Sequence, residues 1–319
     1  MTRRGYVALA LAVVVLLVVP LGLVPFVLAH ERDAEPPASV DDDYRIDGDL
    51  TCDSDVPDAP TLPLEEQPVA LLVCVAPDTS VPWTAPTDVL EQGLDRLTRQ
   101  LAELEPAPDE PFDCTFDAGP DYVMLFRLPG GKAMRLDGST AGCRLVSASG
   151  AGWFGGDEVM STVVDLVHDQ RATRTPPTDL PKAPPCTLAD GELPAYSLTG
   201  DVRELVVATS CWTEGTRPNP QVNGPVEVDP RDVRTLVRDL AANSEPVKVF
   251  GEDLVCPGGR KGYYSQWLLG RTAWGDLIPL HGSCHEFAIV PQWQRPERGD
   301  PMRWVPSPHA QQILDRLRS

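Results

Sequence analysis

The chain has 319 residues, a net charge of −20 and 42% hydrophobic side chains. That length suits about two domains of ordinary size, and the apolar share is enough for packed cores, which argues against a chain disordered throughout. An acidic surface of this strength repels phosphate backbones and anionic lipid headgroups, so nucleic acid is set aside as a partner.

The first element is an apolar run. Residues 5–29 carry no charge and are mostly Val, Leu and Ala, with Arg3 and Arg4 before them and Glu31, Arg32, Asp33 and Glu35 after. Basic residues ahead of an apolar run hold that end in the cytoplasm and send the rest of the chain across. Two outcomes stay open. A run of about 20 apolar residues spans a bilayer, which favours a single-pass signal anchor over residues 1–29 with an extracellular body. A signal peptide with an apolar region of about 7–15 residues is the alternative, cleaved near Ala29 to give a secreted protein. No cysteine occurs before Cys52, so a lipid anchor is not expected, and residues 30–47 read as an acidic stalk.

Eight cysteines in an exported chain point to disulfides. Cys52, Cys74, Cys114 and Cys143 are spaced by 22, 40 and 29 positions; Cys186, Cys211, Cys256 and Cys284 by 25, 45 and 28. The segments between them repeat as well. An apolar strand carries the second cysteine of each set, PVALLVCVA or ELVVATSCW. A helix follows, with Leu90, Leu94, Leu97, Leu101 and Leu104 in helical register after a Thr87 cap, or Val233, Leu236, Val237 and Leu240 after Asp229-Pro230. Then come a hairpin, expected to turn at Gly130-Gly131 or at Gly270-Arg271, a strand at the fourth cysteine, and a closing helix. The closing helices hold Val159, Val163, Leu166 and Val167 after Asp157, and Ala310, Ile313, Leu314 and Leu317 after Ser307-Pro308.

The order β-α-β-β-β-α, met twice, predicts an α+β protein: two tandem copies of a small, mostly antiparallel sheet with helices on one face. Module 1 is expected over 48–170 and module 2 over 186–319. The proline-rich stretch 171–185 reads as the linker, across which few core contacts are expected.

Hairpin register suggests the disulfide pairing. Turns at Gly130-Gly131 and Gly270-Arg271 place Cys114 near Cys143 and Cys256 almost opposite Cys284. Third-with-fourth pairing is therefore favoured, which leaves Cys52 with Cys74 and Cys186 with Cys211; the other connectivities stay open. Each bridge adds about 2–4 kcal/mol to modules whose cores alone are marginal.

The arrangement resembles modules of secreted and membrane-anchored actinobacterial proteins of unassigned function. The shared marks are the strand-closing cysteines in LLVC74 and VATSC211 and the glycine- or serine-preceded cysteines in AGC143RLV and GSC284HEF. The second copy departs from the pattern by having Gly270-Arg271 in place of an acidic-glycine turn. The resemblance covers roughly residues 48–319 and implies location and fold, but no activity.

No catalytic, cofactor or metal motif is recognised. His281, Cys284 and His285 have ligand chemistry, but a cysteine in a disulfide does not bind metal, and the first half has no histidine at the matching place. LPGGK and CPGGRKG do not lead into a helix and are read as turns. Of seven tryptophans, five lie in the second half, and a Gly270-Arg271 turn would set Trp267 opposite Trp274. With Trp293 they form a candidate platform for a glycan, a peptide or an envelope protein; the plainer reading is a cross-strand pair stabilising the sheet. The expected function is binding or interaction outside the membrane without catalysis. The alternative is an envelope hydrolase with an unrecognised site.

Overall fold

The computed structural model describes residues 49–79, 81–186, 195–214, 221–246, 255–256, 260–261, 266–283, 286–289 and 302–318. The apolar segment 5–29 and the stalk 30–47 lie outside the described residues. Among the described residues no helix is long and apolar enough to cross a membrane.

The first half begins with β1 (Ala70–Val75), followed by the two-residue β2 (Trp83–Thr84) and helix α1 (Leu94–Ala102). Four strands come next, β3 (Asp121–Arg127), β4 (Ala133–Ser139), β5 (Leu145–Ala148) and β6 (Ala151–Phe154), and then α2 (Gly156–Ala172). They make a five-stranded sheet in the order β1-β3-β4-β5-β6, antiparallel at every pairing. The sequence predicts three strands after the helix; the fourth, β6, is only four residues long and too short to show a period.

β1 is apolar without alternation because both of its faces are covered. Leu71 and Val73 join Tyr122, Met124, Phe126 and Leu136 beneath α1 and α2, which contribute Leu94, Leu97, Leu101, Val159, Val163 and Val167. On the other face Leu72, Cys74, Val123 and Leu125 pack against Leu50 and Val56. The Cys52–Cys74 disulfide pins that covering segment to the strand. Tyr122 is fully buried, and its hydroxyl donates to the Gly156 carbonyl at 2.7 Å. Gly138 lies beneath the Tyr122 ring, where a Cβ would collide with it.

α1 is shorter than the leucine spacing predicts. Gly93, with φ 71°, stands at its start in place of Thr87. Leu90 instead exchanges two backbone hydrogen bonds with Leu71, at 2.9 and 2.8 Å, and so covers the free edge of β1. The segment 105–107 covers the opposite edge, with Phe154 N donating to Glu105 O and Ala107 N to Gly152 O. Edges covered in this way present fewer open backbone groups with which to recruit another strand.

The second half contains β7 (Tyr196–Ser197), β8 (Leu205–Glu214), β9 (Gln221–Glu227), α3 (Pro230–Asn243), β10 (Ser244–Pro246), β11 (Val255–Cys256) and β12 (Arg260–Lys261). It ends with β13 (Gln266–Thr272), β14 (Leu277–Ser283), β15 (Glu286–Ile289), β16 (Met302–Trp304) and α4 (Pro308–Arg316). Its seven-stranded antiparallel sheet has the order β10-β16-β15-β14-β13-β8-β9. The run β8-β13-β14-β15-β16 therefore follows the same strand order as β1-β3-β4-β5-β6. Both helices lie on one face, Val233, Leu236 and Leu240 of α3 and Ile313 and Leu314 of α4 meeting Leu268, Leu280, Phe287 and Trp304. Both caps occur as predicted, Asp229 accepting from Arg231 N and Ser307 from Ala310 N.

The halves are joined by more than the chain between them. β2 pairs with β7 in parallel, Trp83 beside Tyr196 and Thr84 beside Ser197. Leu198 is buried within the first core, and His168 Nε2 lies 2.9 Å from the Thr199 carbonyl. α2 runs through Ala172, two residues into the expected linker, and Arg171 on its last turn reaches Asp276 in the second half. The linker sequence predicts few such contacts. They come from Arg171 at its start and from residues flanking it.

Candidate functional site

Three of the expected disulfides are present: Cys52–Cys74, Cys114–Cys143 and Cys186–Cys211. The β3–β4 register centres on Gly130-Gly131 as predicted, Arg127 facing Ala133 and Asp121 facing Ser139. The second hairpin does not turn where the sequence suggests. Gly270 is inside β13, opposite Ile278 and Ala208, and the turn lies between Thr272 and Asp276. Gly270 is a packing glycine, because the Leu205 side chain occupies the place its Cβ would take. No turn at Gly270-Arg271 therefore sets Cys256 opposite Cys284. Cys256 faces Arg260 in the β11–β12 pair, and Cys284 lies outside the described residues.

The same shift takes the tryptophan pair apart. Trp267 faces Cys211 and His281 across neighbouring strands. Trp274 is in the turn, its ring 5.2 Å from the Arg171 guanidinium carbon. From Trp267 to the end of β13 at Thr272 the strand rises roughly 16 Å, so the two rings do not form one surface across the hairpin. Trp293 lies outside the described residues. Of the remaining tryptophans, Trp304 is fully buried and donates from Nε1 to Asp239 at 2.9 Å, and Trp83 is buried with Nε1 on the Asp121 carbonyl.

The strongest buried polar cluster is one the sequence does not announce. Arg171 is held between Asp88 and Asp276, with side-chain exposures of 7%, 8% and 2%. Its Nε and Nη2 donate to Asp88, and Nη1 and Nη2 donate to Asp276 at 2.7 and 3.2 Å. Asp276 also accepts from the hydroxyls of Ser197, Thr199 and Thr272. Burial raises the Asp276 carboxyl, but Arg171 and the Thr199 and Thr272 hydroxyls outweigh it and hold the group below its ordinary range. Arg171 is shifted the other way, upward: burial opposes its charge, and the two carboxylates overcome that. Next to it, the buried Gln170 side chain accepts from Glu91 N and donates to Val89 O. The oxygens of Asp276 are thus occupied by partners of the fold itself, which suits a structural clasp more than an acid or base.

His281 is buried on β14, and burial alone pushes its imidazole from 6.5 to about 4. His285, its predicted companion, lies outside the described residues, as does Cys284. Among the described residues no group of three or more His, Cys, Asp or Glu side chains is arranged to hold a metal ion.

One surface element stands out. Between α1 and β3, residues 108–118 are all exposed. The segment is anchored at its start by the backbone bonds of Glu105 and Ala107 to β6, and in its middle by the Cys114–Cys143 disulfide. Beyond the disulfide, Asp117 accepts from Gly142 N at 3.0 Å and from Thr115, pairs with Arg144, and is held below the ordinary carboxylate range, chiefly by the Thr115 hydroxyl. Phe112 lies edge-on to Phe154 at 5.4 Å between ring centres, while Phe116 is fully exposed. In sequence this loop has no period and no recognisable motif. Its available signal is two phenylalanines in an acidic, proline-containing stretch.

No family model matches the chain, and neither a curated protein nor a solved structure is similar to it.

Proposed function

We propose that this chain is an extracytoplasmic interaction protein without catalytic activity, held at the cell membrane by residues 5–29. The observation that carries the location is the set of three disulfides, since such bonds form and persist in oxidising compartments. The charge pattern around the apolar run agrees with it, Arg3 and Arg4 staying inside and the acidic body outside. Tandem duplication is part of the same reading, supported by the strand order that β1-β3-β4-β5-β6 shares with β8-β13-β14-β15-β16 and by the repeated cysteine spacing. The resemblance to actinobacterial cysteine modules points the same way.

The non-catalytic reading is supported by how the buried polar groups are used. Asp276 closes the clasp, Asp239 accepts from Trp304 and Ser307 at the start of α4, and the Tyr122 hydroxyl is bound to the Gly156 carbonyl. Each stabilises a join between elements.

The location is tested by fusing alkaline phosphatase, which matures only where disulfides form, after Ser319 of the full chain. An active fusion retained with membranes through a high-salt wash is expected. An inactive fusion would overturn the location, and an active one released to the medium with a new amino terminus near His30 would overturn the anchor.

A further inference from the structure

We propose that the loop 108–118 is a docking surface for a basic protein segment, which receives Phe116 in an apolar seat ringed by Lys or Arg. The proposal rests on the extracytoplasmic interaction reading, because that compartment keeps Cys114–Cys143 closed.

Phe116 is the starting point. Burying a Phe is worth about 1.5–3 kcal/mol, and this chain leaves that gain unused. The ring is not exposed for want of anchoring. Cys114 is bridged to Cys143, and Asp117 accepts from Gly142 N and the Thr115 hydroxyl and is paired with Arg144. The residues on both sides of Phe116 are thus tied to the β4–β5 connection. A loop already held in shape loses little conformational entropy when a partner binds, so more of the contact energy appears as affinity. Aromatic side chains presented this way are typical of interface centres.

Charge selects the partner. Glu105, Asp109, Glu110, Asp113, Asp117 and Asp121 flank the two phenylalanines in sequence, no Lys, Arg or His occurs between Arg99 and Arg127, and Arg144 reaches the loop at Asp117. Of these, Asp109, Glu110 and Asp113 are exposed and have no basic neighbour in sequence. A cationic rim complements that field. The same field disfavours an anionic membrane, a polyanion and a second copy of this acidic chain.

The test uses the full chain in detergent micelles and immobilised short synthetic peptides that interleave Arg with Leu and Trp. Matched peptides with Glu in place of Arg serve as the charge control, and zwitterionic vesicles as the lipid control. The Arg peptides are expected to bind, and Phe116→Ser to weaken binding about tenfold. Asp109→Asn/Glu110→Gln/Asp113→Asn should weaken it similarly and flatten its salt dependence. Neither variant should shift the thermal midpoint, because these side chains are exposed. Equal binding by wild type and Phe116→Ser, equal binding to the Glu peptides, binding to the vesicles instead, or no binding to any Arg peptide would each overturn the proposal. An inactive phosphatase fusion alongside specific Arg-peptide binding would sink the location and leave the surface standing. The converse would sink the surface alone.

Discussion

Arg171 on the last turn of α2 and Asp276 in the β13–β14 turn form a buried, two-pronged ion pair across 105 positions of sequence, which joins one half of the molecule to the other. Asp88 completes the group from the first half, so two carboxylates share one guanidinium in a site closed to water. Removing the cation leaves two buried carboxylates with no counter-charge, Asp276 keeping only its hydroxyl donors. Arg171→Met is therefore expected to cost about 3–5 kcal/mol in urea denaturation. Asp276→Asn leaves Arg171 paired with Asp88 and should cost less, about 1–3 kcal/mol. Equal, small losses from both variants would mean the pair carries no stability.

The same group has a pH signature. The folded Asp276 carboxyl lies below its ordinary 3.8, so its stabilisation is fully present above that value and is lost as pH falls through the lower, folded one. His281 acts in a different window. Its folded value of about 4 lies below the ordinary 6.5, so the unfolded chain takes up a proton first. Stability should fall as pH drops from about 6.5 towards about 4 and should level off below. A His281→Asn chain, followed by thermal melts across this range, should lose that slope. An unchanged slope would assign it to other groups.

Gly138→Ala tests the packing of the first core. The added methyl meets the Tyr122 ring, which is buried and fixed by its bond to the Gly156 carbonyl. Overpacking of this kind costs about 1–3 kcal/mol. The double variant Gly138→Ala/Tyr122→Leu should recover part of the loss, because the ring is what obstructs the methyl. No recovery would place the strain elsewhere.

The revised hairpin register makes a separate prediction for the tryptophans. Partners facing each other across two strands couple by about 0.5–3 kcal/mol in a double-mutant cycle, whereas distant residues add. Trp267 faces His281, and Trp274 stacks on Arg171. Trp267→Ala and Trp274→Ala should therefore be additive, and Trp274→Ala should couple to Arg171→Met instead. Strong coupling between the two tryptophans would restore the cross-strand pair.

What was legible in the sequence is what local chemistry dictates. Asp229-Pro230 and Ser307-Pro308 start α3 and α4 because a side-chain acceptor and a proline at the first helical position suit a helix start in any context. Pro129-Gly130-Gly131 turns the first hairpin because two consecutive residues adopt positive φ there, 77° and 84°. Gly270 carries the same letter for another reason, the packing of Leu205, while the second turn uses Gly275 at φ 90° with Thr272 and Asp276 bonded across it. Leu90 fits the leucine spacing of α1 but pairs with the edge of β1, a tertiary contact that periodicity does not register. The clasp was illegible for the same reason. Nothing near Arg171 or Asp276 in sequence indicates that the two meet.

Non-reducing peptide mapping of the full chain, alkylated unfolded straight from intact cells, tests the account most directly. The extracytoplasmic reading predicts Cys52–Cys74, Cys114–Cys143 and Cys186–Cys211 as linked peptides, with no label on these six residues. Alkylated thiols at these positions, or a bridge joining one of them to a cysteine of the other half, would contradict it.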